Sequence, residues 1–177
     1  MRILCAVIII GMMLGIPAAA EYGNMEQMHM WNVRAGVFFP QGDTVDSSEF
    51  TLGIEHEHPA TAIIKGIPGF FSLTIDWTRI TTTTPTGNDD VTLIPILFNW
   101  KQHTGTMDRF WDYGAGIGWY WARDDIPDMN LTKGSKLAWQ VMLAYHFNAA
   151  YFVEGRYMAD GHPSDSGLFG VDVGYTF

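Results

Sequence analysis

The chain has 177 residues, of which 47% are hydrophobic, 14% aromatic and 16% charged, with a formal net charge of −9. That length holds one domain or two very small ones, and the apolar fraction excludes intrinsic disorder. The acidic balance repels phosphate backbones, so nucleic acid is not an expected partner. With 19 glycines beside the aromatics, β-structure with tight turns is favoured over a helical bundle.

Residues 1–20, MRILCAVIIIGMMLGIPAAA, read as a cleaved secretory signal peptide. Arg2 supplies the positive start and Ile3 to Ile16 the apolar stretch. Pro17 breaks that stretch, and Ala18-Ala19-Ala20 form the cleavage site. The expected mature domain spans 21–177, from Glu21 onward. Its cysteine count is zero, because the single Cys5 lies in the signal segment, so disulfides, thiol catalysis and cysteine metal sites are excluded. No later stretch is long and apolar enough for a membrane helix.

The mature region alternates apolar and polar residues with period two, which predicts strands with two different faces. Eight such segments are expected: 30–39, 49–57, 70–80, 90–101, 109–123, 135–147, 150–159 and 167–177. The first sets Trp31, Val33, Ala35, Val37 and Phe39 against Asn32, Arg34, Gly36 and Phe38. The third alternates Phe71, Leu73, Ile75 and Trp77 with Ser72, Thr74, Asp76 and Thr78. The fourth is apolar on both faces, and Pro95 removes a ladder donor from it. The fifth puts Trp111, Tyr113, Ala115, Ile117, Trp119 and Trp121 on one face. The sixth carries Trp139 on its apolar face, and the eighth ends on Tyr175 and Phe177.

Eight antiparallel strands make either a soluble lipocalin-like barrel or a membrane barrel, and the polar faces decide. They carry Gly, Ser, Thr, Asn, Gln and a few acids with almost no Lys, which suits a cramped interior rather than a solvated surface. Trp111 to Trp121 spans about 33 Å of strand, or about 25 Å along the normal at a tilt near 40°. That is the height of a lipid-facing band between aromatic girdles. The predicted fold is therefore an all-β, eight-stranded, antiparallel up-and-down transmembrane barrel. Trp77, Trp111, Trp119, Trp121 and Trp139 are its expected lipid-interface aromatics. With both termini periplasmic, the outer loops are expected at 40–48, 81–89, 124–134 and 160–166. Short turns are expected at 102–108 and 148–149, with a longer periplasmic connection at 58–69.

The chain resembles the small eight-stranded outer-membrane barrels: the OmpA transmembrane domain, OmpX and the opacity-type surface proteins. The resemblance covers residues 28–177 and rests on the strand WDYGAGIGWYW, the strand VEGRY and the terminal GVDVGYTF. It implies an outer-membrane location with no cofactor. The implied partners are outer-membrane lipids and lipopolysaccharide, and an extracellular ligand reached through the outer loops. Tyr175 and the final Phe177 resemble the signal read by the barrel-assembly machinery.

An eight-stranded barrel has no room for a wide channel, so its inward charges must pair. Alternation turns Arg34, Glu154, Arg156 and Asp172 inward near the middle of three adjacent strands, which predicts a lumen salt-bridge network. Glu55, Glu57, Asp76 and Asp112 add inward acid with no evident basic partner in the sequence. In EHEHP, His56 and His58 share one face and Glu55 and Glu57 the other, so alternation splits them and no metal site is expected. Asp124, Asp125 and Asp128 read as solvated loop acids. His162 and Ser164 match the His-x-Ser motif of PagL-type lipid A deacylases. However, Asp165 replaces the expected Asn, and no Glu follows Glu154. The expected role is therefore structural or surface-interactive (membrane integrity, adhesion or defence) without catalysis. The alternatives are a lipid A deacylase-like hydrolase using His162 and Ser164, and a narrow pore or hydrophobic-solute carrier.

Overall fold

A computed structural model describes residues 30–41, 49–60, 69–84, 87–106, 109–122, 134–159 and 167–177. The signal segment 1–20 lies outside the described residues. So do the outer connections 42–48, 123–133 and 160–166.

Eight strands form one closed antiparallel barrel in chain order. They are β1 (Met30–Gln41), β2 (Glu49–Pro59), β3 (Phe70–Thr84), β4 (Gly87–Thr106), β5 (Arg109–Ala122), β6 (Gly134–His146), β7 (Tyr151–Ala159) and β8 (Gly167–Thr176). Closure comes from β1 lying beside β8, with Val33 opposite Tyr175 and Gly36 opposite Asp172. The ladder extends past β8 through reciprocal backbone bonds between Trp31 and Phe177, of 3.1 and 2.9 Å. A closed sheet leaves no edge whose backbone groups would face lipid unpaired.

The period-two pattern translates directly into inside and outside. On β5, Trp111, Tyr113, Ile117, Trp119 and Trp121 are exposed, while Phe110, Asp112 and Tyr120 are buried. Leu73, Ile75 and Trp77 on β3 and Ile96, Phe98 and Trp100 on β4 continue the same exposed apolar surface. Acids, amides and hydroxyls line the inside: Asn32, Thr51, Glu55, Ser72, Asn99 and Gln140 are all buried. This inversion of the water-soluble pattern identifies a membrane-spanning barrel.

Two predicted connections are corrected by longer strands. Residues 81–89 are not an open loop: Thr81 pairs with Asp90 and Thr84 with Gly87, which leaves only 85–86 as the connection. Likewise, Thr106 pairs with Arg109, which reduces the 102–108 turn to 107–108. In both places alternation fades because the ladder runs beyond the lipid band, where neither face needs to be apolar. The β-branched threonines 81–84 still favour extended backbone.

At Pro95 the β3–β4 ladder skips from Ile75↔Ile96 to Thr78↔Leu93, as a residue without an N–H requires. The turn at 147–150 is closed by Asn148, whose Oδ1 accepts from the amides of Ala150 and Tyr151 at 2.8 and 2.9 Å. The long 58–69 connection is pinched at its base by the Ala60 amide donating to the Gly69 carbonyl at 2.8 Å. Gly69 sits at φ +96°, where a side chain would be strained and would also press on the Lys101 carbonyl.

The exterior band generates one prediction. In vesicles, brominated phospholipid should quench most tryptophan fluorescence, and the unboiled protein should migrate faster than the boiled protein on SDS gels. Absent quenching in a folded, heat-modifiable sample would invert the faces assigned here.

Candidate functional site

The inside of the barrel is built in layers from the end where β1 begins and β8 ends, here the terminal end, towards the loop end. At the terminal end, Asp112 on β5 lies between two imidazoles. His103 Nδ1 on β4 bonds one carboxylate oxygen, and His146 Nε2 on β6 bonds the other at 2.8 Å. Aromatic rings pack both histidines: Phe110 and Phe152 stack on His146 with centroids at 4.0 and 4.9 Å, and Phe70 meets His103 edge-on at 4.2 Å.

The next layer centres on Lys101. Its Nζ donates to Glu57 Oε1 at 2.5 Å and to Glu55 Oε2 at 3.1 Å. Asn32 also donates to Glu57 at 2.7 Å, and Ser72 donates to Glu55 at 2.5 Å. An amide and hydroxyl relay continues sideways, with Asn99 donating to Thr74 at 2.9 Å and Gln140 donating to Asn99 at 2.6 Å.

The middle layer brings Arg34, Glu154, Arg156 and Asp172 together. Arg34 Nη1 donates to Glu154 at 2.9 Å, and Arg156 Nε donates to Asp172 at 2.7 Å. The hub that joins the two arginines is Asp76. Arg34 grips both its oxygens with Nε and Nη2 at 3.1 Å, and Arg156 Nη1 donates to Oδ2, which the two arginines share. Arg34 also approaches Glu55 at 3.7 Å, which links this layer to the lysine layer. All of these side chains are buried.

The inward acids are therefore not partnerless, contrary to the sequence reading. Glu55 and Glu57 take Lys101, Asp76 takes both arginines, and Asp112 takes the two histidines. Lys101 escaped because β4 is apolar on both faces, so its alternation carries no phase. Asp76 was legible as inward, but its role as hub depends on cross-barrel distance. Among the buried described residues, six carboxylates face three Arg and Lys side chains, so each base has to serve two or more acids.

Towards the loop end the lumen becomes apolar. Phe38, Ile80, Val91, Leu93, Leu97 and Met158 lead a buried cluster across the barrel. Arg156 marks the boundary, with its guanidinium 4.7 Å above the Phe38 ring. Inward glycines make room for these groups. A methyl at Gly53 would collide with Asp76 and press on Arg34, and one at Gly170 would strike Phe38.

On the exterior, Trp77, Trp111, Trp119 and Trp121 are exposed. Trp139 shares their face but is half-buried against Tyr157, with centroids at 5.7 Å. Tyr175 and Phe177 stack at the terminal rim with centroids at 6.2 Å. His56 leans on Trp31 outside the barrel, while Glu55 and Glu57 point in, so the strand splits the EHEHP histidines from its acids. His162, Ser164, Asp124, Asp125 and Asp128 lie outside the described residues.

No family model matches the chain, and no curated protein matches its sequence. Solved structures do match in shape. Neisserial surface protein A superimposes with a TM-score of 0.58 at 14% identity, covering 84% of this chain and 95% of that one. Ail, the attachment invasion locus protein of Yersinia pestis, gives 0.49 at 12% identity, covering 86% and 100%. The outer membrane enzyme PagL gives 0.44 at 15% identity, covering 82% and 98%. At such identities the likeness is one of fold: this chain folds as a small eight-stranded barrel of the outer-membrane type.

The network generates a stability prediction. Arg156→Ala leaves Asp172 buried without its cation and Asp76 with Arg34 alone, an uncompensated burial that costs about 3–5 kcal/mol. Urea unfolding in lipid vesicles should show that loss, whereas Arg79→Ala, which breaks an exposed pair with Asp90, should barely move the midpoint. Equal effects would mean that water reaches the middle layer.

Proposed function

We propose that this protein is a closed outer-membrane barrel with a structural or surface-interaction role in membrane integrity, adhesion or defence, without catalysis. The observation that carries the reading is the filled lumen. A cross-linked ionic layer occupies the middle, and an apolar layer lies between it and the loop end. A conducting path needs continuous water or a continuous chain of polar groups, and the leucine and phenylalanine layer supports neither. The outer-membrane location is supported by the barrel fold and by the apolar exterior flanked with tryptophan.

In this reading specificity belongs to the outer connections and the long β3–β4 hairpin, and the barrel is their anchor. The stacked Tyr175 and Phe177 at the terminal rim serve as the signal to the barrel-assembly machinery. Lipids and lipopolysaccharide are the surrounding partners, and no cofactor is required.

Two measurements test the proposal. Purified protein in planar bilayers should show no steady conductance, and a reproducible ohmic step would replace the structural role with a narrow pore. Cells overexpressing the protein should release no lipid A acyl chains above background. Release abolished by both His162→Ala and Ser164→Ala would make the protein a deacylase instead.

A further inference from the structure

The exterior of the barrel is not uniformly convex. Where β3, β4 and β5 approach the loop end, two indoles stand apart: Trp77 is 40% exposed and Trp121 63%. The strand between them presents only Thr92 and Ile94. The four residues line a groove of about 410 Å³ on the lipid-facing surface. The groove has a local cause. Trp77 falls in the stretch where Pro95 interrupts the β3–β4 ladder, and the small Thr92 lies next along β4.

The rim of this groove is polar in a specific way. Arg79 lies directly across the ladder from Thr92, two residues beyond Trp77 on the same outward face. Its guanidinium pairs with Asp90, and Thr81 donates its hydroxyl to the same carboxylate at 2.9 Å. Both charged side chains are about half exposed, at 56% and 43%. Among the described residues of the outward face, Arg79 is the basic side chain at this end of the barrel. A bilayer lipid here would meet an apolar slot at acyl-chain depth, and a guanidinium fork, a carboxylate and a hydroxyl at headgroup depth.

We propose that this groove is a binding subsite for one molecule of a phosphorylated glycolipid of the outer leaflet. One acyl chain lies between Trp77 and Trp121, a phosphate sits on Arg79, and sugar hydroxyls donate to Asp90. The assignment rests on the outer-membrane reading, with the loop end outward. The rim selects the occupant. Arg79 suits a phosphate, for which a guanidinium fork is the natural partner. Asp90 would repel a phosphate alone but accepts hydrogen bonds from hydroxyls. A plain phospholipid offers the phosphate without the hydroxyl array, so it leaves the carboxylate unused.

The experiment uses the full mature barrel in detergent, titrated by native mass spectrometry with hexa-acylated, bis-phosphorylated lipid A and separately with phosphatidylglycerol. Wild type should retain one lipid A molecule, with phosphatidylglycerol at least about tenfold weaker. Arg79→Gln should weaken lipid A by about tenfold, as expected for one lost charge-assisted phosphate contact. Thr92→Trp, which fills the slot, should abolish the one-to-one adduct, and Ile94→Trp serves in its place if that variant loses heat-modifiable migration. Lipid A binding that ignores both the slot and Arg79 overturns the site. Equal retention of phosphatidylglycerol overturns the glycolipid assignment and makes the occupant a phospholipid. Cell fractionation keeps the two levels apart: a protein that reaches the outer membrane but fails these titrations loses the subsite alone, and one found soluble loses the membrane reading itself.

Discussion

Water is scarce inside an eight-stranded barrel, and this scarcity governs the rest of the molecule. A charge turned inward cannot be solvated, so it has to meet an opposite charge from another strand. Arg34 on β1 meets acids from β2, β3 and β7, and Arg156 on β7 meets acids from β3 and β8. Lys101 on β4 ties two positions of β2. These contacts act as a register lock. Slipping one strand by two residues would keep its apolar face in lipid yet separate the charges, so the ion pairs specify what alternation leaves open.

Size complementarity inside the lumen follows from the same crowding. Large groups sit opposite glycines: Phe152 against Gly174, Phe38 against Gly170, and the Arg34–Asp76 pair against Gly53. A side chain at any of these positions would displace an aromatic ring or a buried charge. On these strands the glycines are vacant volume reserved for a neighbour, in keeping with the cramped interior expected from the polar faces.

The fold was legible in the sequence because lipid enforces a binary pattern at every other residue, and β5 and β8 show it without interruption. Legibility failed where that enforcement stops. Thr81 to Thr84 and His103 to Thr106 lie towards the strand ends, so they read as loop although the ladder continues. It failed again on β4, where Leu93 and Leu97 face an apolar lumen layer while Ile96 and Phe98 face outward, and the two faces become indistinguishable. Arg34, Glu154, Arg156 and Asp172 could be turned inward from alternation alone. Asp76 as their hub and Lys101 as partner of Glu55 depend on distances across the barrel, which a one-dimensional pattern does not contain.

Closure through the first and last strands also governs the order in which the protein can be built. Arg34 is separated from Glu154 by 120 residues, and its strand completes its pairing only when β8 arrives. A chain that has placed only β1 to β6 holds Arg34 without Glu154 and Asp76 without Arg156. Such a fragment has both an open edge and an uncompensated interior, and each disfavours entry into hydrocarbon. The buried network thereby balances its charge only once β7 and β8 have joined the barrel, so charge neutrality of the lumen and closure of the sheet are reached in the same step.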